Sequence, residues 1–249
     1  MAFKTDGSVH HGGIANELQT IDTLNRLGIY SETVEHRGGT QQKADAVAGD
    51  RGISIKRKMG AKVGSFDWVN TTKVPGYISS KFDCFRAVVS ELKTLTTEQR
   101  SAEVDEVRSL FNATSAAAFD TLQTADLTAF LRDTFAKQAG YDIVVTDTKA
   151  GTLHHFPAEA HPALALLADG FIPTFKAATR EGQTSRTIVF GKGTESVDIG
   201  LRLRITSNNG ISAFLGLSKA NKSSSLSLKL QQDNVAGLLE SVSARSWDV

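Results

Sequence analysis

With 249 residues, 40% of them hydrophobic and 22% charged, the chain has enough apolar side chains to bury a sizeable core and reads as an ordinary globular protein. Its formal net charge of +1 excludes capture of a polyanion by the overall field, so a nucleic-acid partner must be held by local basic patches. One cysteine, Cys84, excludes an intrachain disulfide and a cysteine-based zinc centre and suits a reducing cytoplasm; no run of about 18 apolar residues, and no apolar signal segment in the opening MAFKTDGSVHH, marks the chain for a membrane or for secretion.

Residues 1–12 are polar and glycine-bearing and read as a flexible arm. From Gly13 to Leu27, Ile14, Leu18, Ile21, Leu24 and Leu27 recur at helical spacing, with Gly28 as the terminator. Glu17 lies at the edge of that stripe, where an acid can face a sheet and reach a shared metal. Ile29 to Arg37 reads as a strand, with Glu35 as a second candidate acid.

The stretch from Arg37 to Lys58, RGGTQQKADAVAGDRGISIKRK, reads as a polar loop, a short strand, a turn at Gly49-Asp50-Arg51-Gly52 and a second strand. Side chains alternate along a strand, so Ile53 and Ile55 share one face while Ser54 and Lys56 share the other. The turn can bring Asp45 opposite the Ser54/Lys56 face. A carboxylate, a polar side chain and a lysine at one place suit metal-dependent phosphodiester hydrolysis, in which the acid holds Mg²⁺ and the ammonium positions or deprotonates water. Gln41, Gln42 and Lys43 precede Asp45 and can lie against a phosphodiester backbone, and Arg57, Lys58 and Lys62 form a cationic run suited to phosphates.

Ser65 to Thr72 reads as a short capped helix or a strand entry, with Asp67 as a further possible ligand. From Ser79 to about Gly140 the apolar spacing is helical. A β-rich half follows, beginning at Tyr141 to Thr146. His154 and His155 point to opposite sides of a strand and, with His161, show no zinc spacing. Arg202 and Arg204 share one strand face. Asn208, Asn209, Lys219 and Lys222 fall on the turn and loop that follow, and arginine, asparagine and lysine are the residues that read base edges and hold phosphates. Asp233 is placed to cap a last helix ending near Leu239.

Gly38-Gly39, the polar loop, Lys43-Ala44-Asp45-Ala46 and Ser54-Ile55-Lys56, with the upstream GIANE from Gly13 to Glu17, resemble the PD-(D/E)xK nuclease superfamily, and within it the MspI-like type II restriction endonucleases. The resemblance covers the first 75 residues or so of the chain. It implies that Asp45 is the metal-binding acid, Lys56 the catalytic lysine and Glu17 the accessory acid, with Mg²⁺ as cofactor and double-stranded DNA as substrate. Ser54 stands where most of the superfamily has Asp or Glu.

The expectation is therefore a single α/β domain: a central mixed sheet flanked by helices, with a restriction-endonuclease-like core in residues 1–78, a helical segment in 79–140 and a β-rich half with recognition elements in 141–249. The protein is expected to act in the cytoplasm, as a monomer or homodimer, as a sequence-specific endonuclease. A structure-selective or mobile-element endonuclease, and a lapsed nuclease that binds DNA, are the alternatives.

Overall fold

Helix α1 spans Ser8–Leu27, starting before Gly13, in a computed structural model that describes residues 8–37, 44–71, 80–207 and 226–249. Ile21 and Leu24 are buried, but Ile14 and Leu18 are exposed. The first half of the helix lies instead over polar strand ends, where Thr146 donates to Asn16 Oδ1 at 3.5 Å and Glu17 meets His36. Gly28 ends the helix at φ +60°, with Ile29 N–H donating to Leu24 O and Gly28 N–H to Asn25 O. The Asn25 amide then brackets Val34, accepting from its N–H at 2.7 Å and donating to its carbonyl at 3.0 Å, which starts the first strand.

Strands β1 (Val34–His36), β2 (Ala46–Ala48) and β3 (Arg51–Arg57) form an antiparallel meander. The turn uses only Gly49 and Asp50, while Arg51 and Gly52 already belong to β3. Gly52 is required by packing: a Cβ there would lie 2.7 Å from the Tyr141 ring.

β3 pairs in parallel with β5 (Tyr141–Asp147), which continues antiparallel to β6 (Thr152–Pro157) and so to β11 (Arg245–Asp248), completing a mixed six-stranded sheet in the order β1-β2-β3-β5-β6-β11. Between β3 and β5 the chain forms β4 (Ser65–Thr71) and helices α2 (Asp83–Leu92), α3 (Thr97–Ala102), α4 (Val104–Asp120) and α5 (Thr124–Ala136). The helical segment thus stands where its periodicity places it.

One central sheet was expected, and the described residues form two. β4 turns away from β3 and joins β7 (Ile172–Phe175), β8 (Ser185–Lys192), β9 (Glu195–Ser207) and β10 (Leu226–Asp233) in an antiparallel sheet ordered β4-β10-β9-β8-β7. A 3-10 turn (Ala158–Ala160) and short helices α6 (Pro162–Ala168) and α7 (Val235–Ser241) complete the described elements, and α7 is capped by Asn234, because Asp233 still belongs to β10.

The mixed sheet separates two apolar clusters. Ile53, Ile55 and Val144 pack with Ile21 and Leu24 of α1, while Ile143 and Val145 face the antiparallel sheet and the helices. The polar pin of the first cluster is Asp142, which accepts from Tyr30 Oη at 3.0 Å and Arg51 Nη2 at 2.7 Å and lies 3.0 Å from His155 Nε2. Burial pushes this carboxyl up, but His155, Arg51 and Tyr30 overcome it and hold it at about 2.

In the second cluster His161 is 1% exposed between Trp68 and Phe135. Its Nδ1 accepts from Ala163 N–H at 3.3 Å, so Nε2 carries the proton toward Gln232 Oε1 at 3.3 Å. Gln232 also accepts from Trp68 Nε1 at 3.1 Å and donates to the Ile199 and Asp233 carbonyls. Burial depresses the imidazole to about 3.

Because the unfolded histidine titrates near 6.5, the neutral native ring contributes stability above that pH and loses it as pH falls toward 3, at about 1.4 kcal/mol per pH unit. Urea unfolding at pH 7 and pH 4.5 is expected to show this loss in the wild type and to show it removed in His161→Leu, which starts ~2 kcal/mol less stable at pH 7. Equal pH slopes in the two proteins would contradict the assignment.

Candidate active site

Asp45 sits immediately before β2, and its main chain is held from both sides: its N–H donates to Ile53 O at 2.9 Å, and its carbonyl accepts from Arg37 N–H at 3.0 Å. Ala46 and Ala48 are buried against α1 with Ile53 and Ile55. Alternation therefore turns Asp45 to the opposite face, the one that carries Ser54 and Lys56. Ladder pairing between β2 and β3 stops at Ala46 and Ile53, which leaves the Ile55 N–H without a strand partner on that side. Asp45 Oδ2 takes it at 2.7 Å and accepts from Ser54 Oγ at 3.3 Å.

Ser54 is 4% exposed, so its hydroxyl orients Asp45 and is shielded from solvent. Lys56 lies beside Val145 in the register, half-buried, with no hydrogen-bond or ion-pair partner among the described residues. Burial lowers its pKa, opposed in turn by the charges of Asp45, Asp67 and Glu17. An amine in that position loses its proton more readily than a surface lysine and can accept one from water.

Glu17 reaches the same end of the sheet, but its Oε2 lies 3.0 Å from His36 Nε2. Among the described residues no three His, Cys, Asp or Glu side chains are gathered closely enough to hold a metal ion. Magnesium does not require such a cage, since it keeps several waters and takes one or two carboxylates together with substrate phosphate. Asp45 fits that role: one oxygen is fixed by two donors, and Oδ1 has no hydrogen-bond partner among the described residues.

The expected DNA contacts divide. Gln41, Gln42, Lys43, Asn208, Asn209, Lys219 and Lys222 lie outside the described residues. Arg57 is exposed at the end of β3. Lys58 is not available to a phosphate: its ammonium is 2.7 Å from Asp147 Oδ2, with the two side chains 13% and 10% exposed. Asp147 Oδ1 accepts from Lys149 and Ala150 N–H at 3.1 Å, so the pair closes the β5–β6 turn.

Arg202 and Arg204 stand on the outer face of the antiparallel sheet, since Leu201, Leu203 and Ile205 are buried. Arg204 is exposed and lies opposite Lys229; Arg202 lies opposite Gln231 and pairs with Asp233 at 3.0 Å. Gln231 is in turn opposite Asp67 on β4. A polar strip therefore runs from Arg204 to Asp67, whose charge acts on Lys56. The alternation of buried Phe66 and Trp68 around Asp67 is the sequence signal that turns this acid outward.

Lys58→Ala strips the partner from a nearly buried carboxylate and is expected to lower unfolding free energy by ~3 kcal/mol in urea titration, where an unchanged midpoint would restore Lys58 to the surface contacts.

Comparison with known proteins gives no match: no family model fits the sequence, and neither a curated protein nor a solved structure is similar to this chain.

Proposed function

We propose that the protein is a magnesium-dependent, sequence-specific endonuclease of double-stranded DNA that hydrolyses phosphodiester bonds, as its resemblance to the PD-(D/E)xK nucleases implies. The observation that carries this reading is the hairpin itself: a carboxylate fixed through one oxygen by Ser54 and Ile55, next to a half-buried lysine whose pKa is lowered. Magnesium would be held by Asp45, with Glu17 turning from His36 to assist, and supplies polarisation of the scissile phosphate and acidification of water. Lys56 takes or positions the proton of the attacking water, and in its protonated form offsets charge developing on the phosphate.

Ser54 keeps Asp45 aligned. Arg57, Arg202 and Arg204 supply grip, Arg202 by exchanging Asp233 for a phosphate or a base edge. Among the described residues no helix is long and apolar enough to cross a membrane. Ser54 in place of an acid, with no preassembled group of three ligands among the described residues, favours a second reading, a lapsed nuclease that binds DNA without cutting it.

Cleavage of long duplex DNAs with Mg²⁺ separates the two. Discrete bands are expected from the wild type, with Asp45→Ala and Lys56→Ala each slower by about 10²-fold or more. The rate should rise with pH and level off below the range of a free lysine, because only the neutral Lys56 accepts the proton and burial lowers its pKa. Cutting that survives both substitutions would remove the assignment, and salt-dependent binding without cutting would establish the lapsed nuclease.

A further inference from the structure

Ser54 puts a hydroxyl where the resemblance implies an acid, so the site as read above is one carboxylate short. Three acids on neighbouring elements are candidates to replace it. Glu35 lies on β1 opposite Val47 and is exposed, and its charge is not among those that act on Lys56. Glu17 does act on Lys56, but His36 holds its Oε2 at 3.0 Å. Asp67 acts on Lys56 more strongly than Glu17 does.

The backbone explains why. After β3 the chain doubles back through a connection closed by Met59 and Ser65, each N–H donating to the other's carbonyl at 2.9 Å. β4 therefore starts beside the Lys56 end of β3. Phe66 and Trp68 are 2% and 3% exposed in the core, which turns Asp67 to the outer face of the antiparallel sheet, two residues past the Met59–Ser65 closure. There its Oδ2 accepts from Lys229 Nζ at 3.3 Å, with both side chains 31% exposed.

We propose that Asp67 is the second metal-bearing carboxylate of this site, in place of the acid that Ser54 cannot supply, and that Lys229 holds it ready. The inference rests on the nuclease reading. Two carboxylates with water and a substrate phosphate are what magnesium ordinarily takes. The Lys229 ion pair orients Asp67 before the metal arrives, and binding frees Lys229 to meet a phosphate on the strip that continues to Arg204.

The test uses the full chain without DNA and Mn²⁺ as the probe, following the paramagnetic resonance signal of the free ion through a titration at millimolar metal. Wild type is expected to bind Mn²⁺, Asp45→Asn and Asp67→Asn are each expected to weaken binding about tenfold or more, and adding Ser54→Asp to Asp67→Asn is expected to recover most of it. Thermal melts of each variant without metal confirm that it is folded. Wild-type affinity in Asp67→Asn, with Asp45→Asn impaired, overturns the inference and leaves the nuclease reading standing. A loss in Asp67→Asn that Ser54→Asp does not repair also overturns it, because it assigns Asp67 a structural part. Wild type that takes up no Mn²⁺ overturns both.

Discussion

Everything at the candidate site depends on the parallel pairing of β3 with β5. Parallel neighbours cannot be joined by a tight turn, so the chain must leave the sheet after Arg57 and return at Tyr141. That excursion sends β4 into a second sheet and supplies the helices that cover the shared core. The same pairing sets Lys56 beside Val145 of the shared core, so the lysine is half-buried there. Just beyond, the Lys58 N–H donates to Thr146 O at 2.9 Å and the Lys58–Asp147 pair closes the strand ends. The site sits at a rim because β3 ends there and β4 diverges.

Two aspartates show how the fold separates structural from chemical use of a carboxylate. Asp142, at the opposite end of β3 and β5 from Lys56, receives Tyr30 and Arg51 and faces His155, so it is satisfied and held at about 2. Among the described residues, Asp45 receives its donors on one oxygen alone. The first arrangement locks the loop after α1 to three strands. The second fixes a carboxylate's direction while leaving it capacity for another partner, which is the condition for holding a cation.

The neutral group at Ser54 has a related consequence. A second acid at that point would face Asp45 across a hydrogen-bond distance, and like charges so close repel unless a cation lies between them. With serine that repulsion is absent, while Glu17 and Asp67 each lie beside a partner of their own, His36 and Lys229.

The sequence by itself determined the features that follow from local chemistry. Alternation around Ile53 and Ile55, with a glycine turn before them, was enough to place Asp45 against Ser54 on the Lys56 face, and apolar spacing from Phe85 onward was enough for the helical segment. Only the tertiary structure decided the rest. Periodicity assigned Ile14 and Leu18 to a buried stripe that the polar strand ends do not provide, and it could not show that β4 joins a different sheet from β3. A run of cations looks the same whether it meets phosphate or a buried acid, so the partnership of Lys58 with Asp147, 89 positions away, was invisible before folding. The Asp142 pin was hidden for the same reason: Tyr30, Arg51, Asp142 and His155 carry no shared spacing, and burial, which makes their bonds strong, is a property of the packed chain.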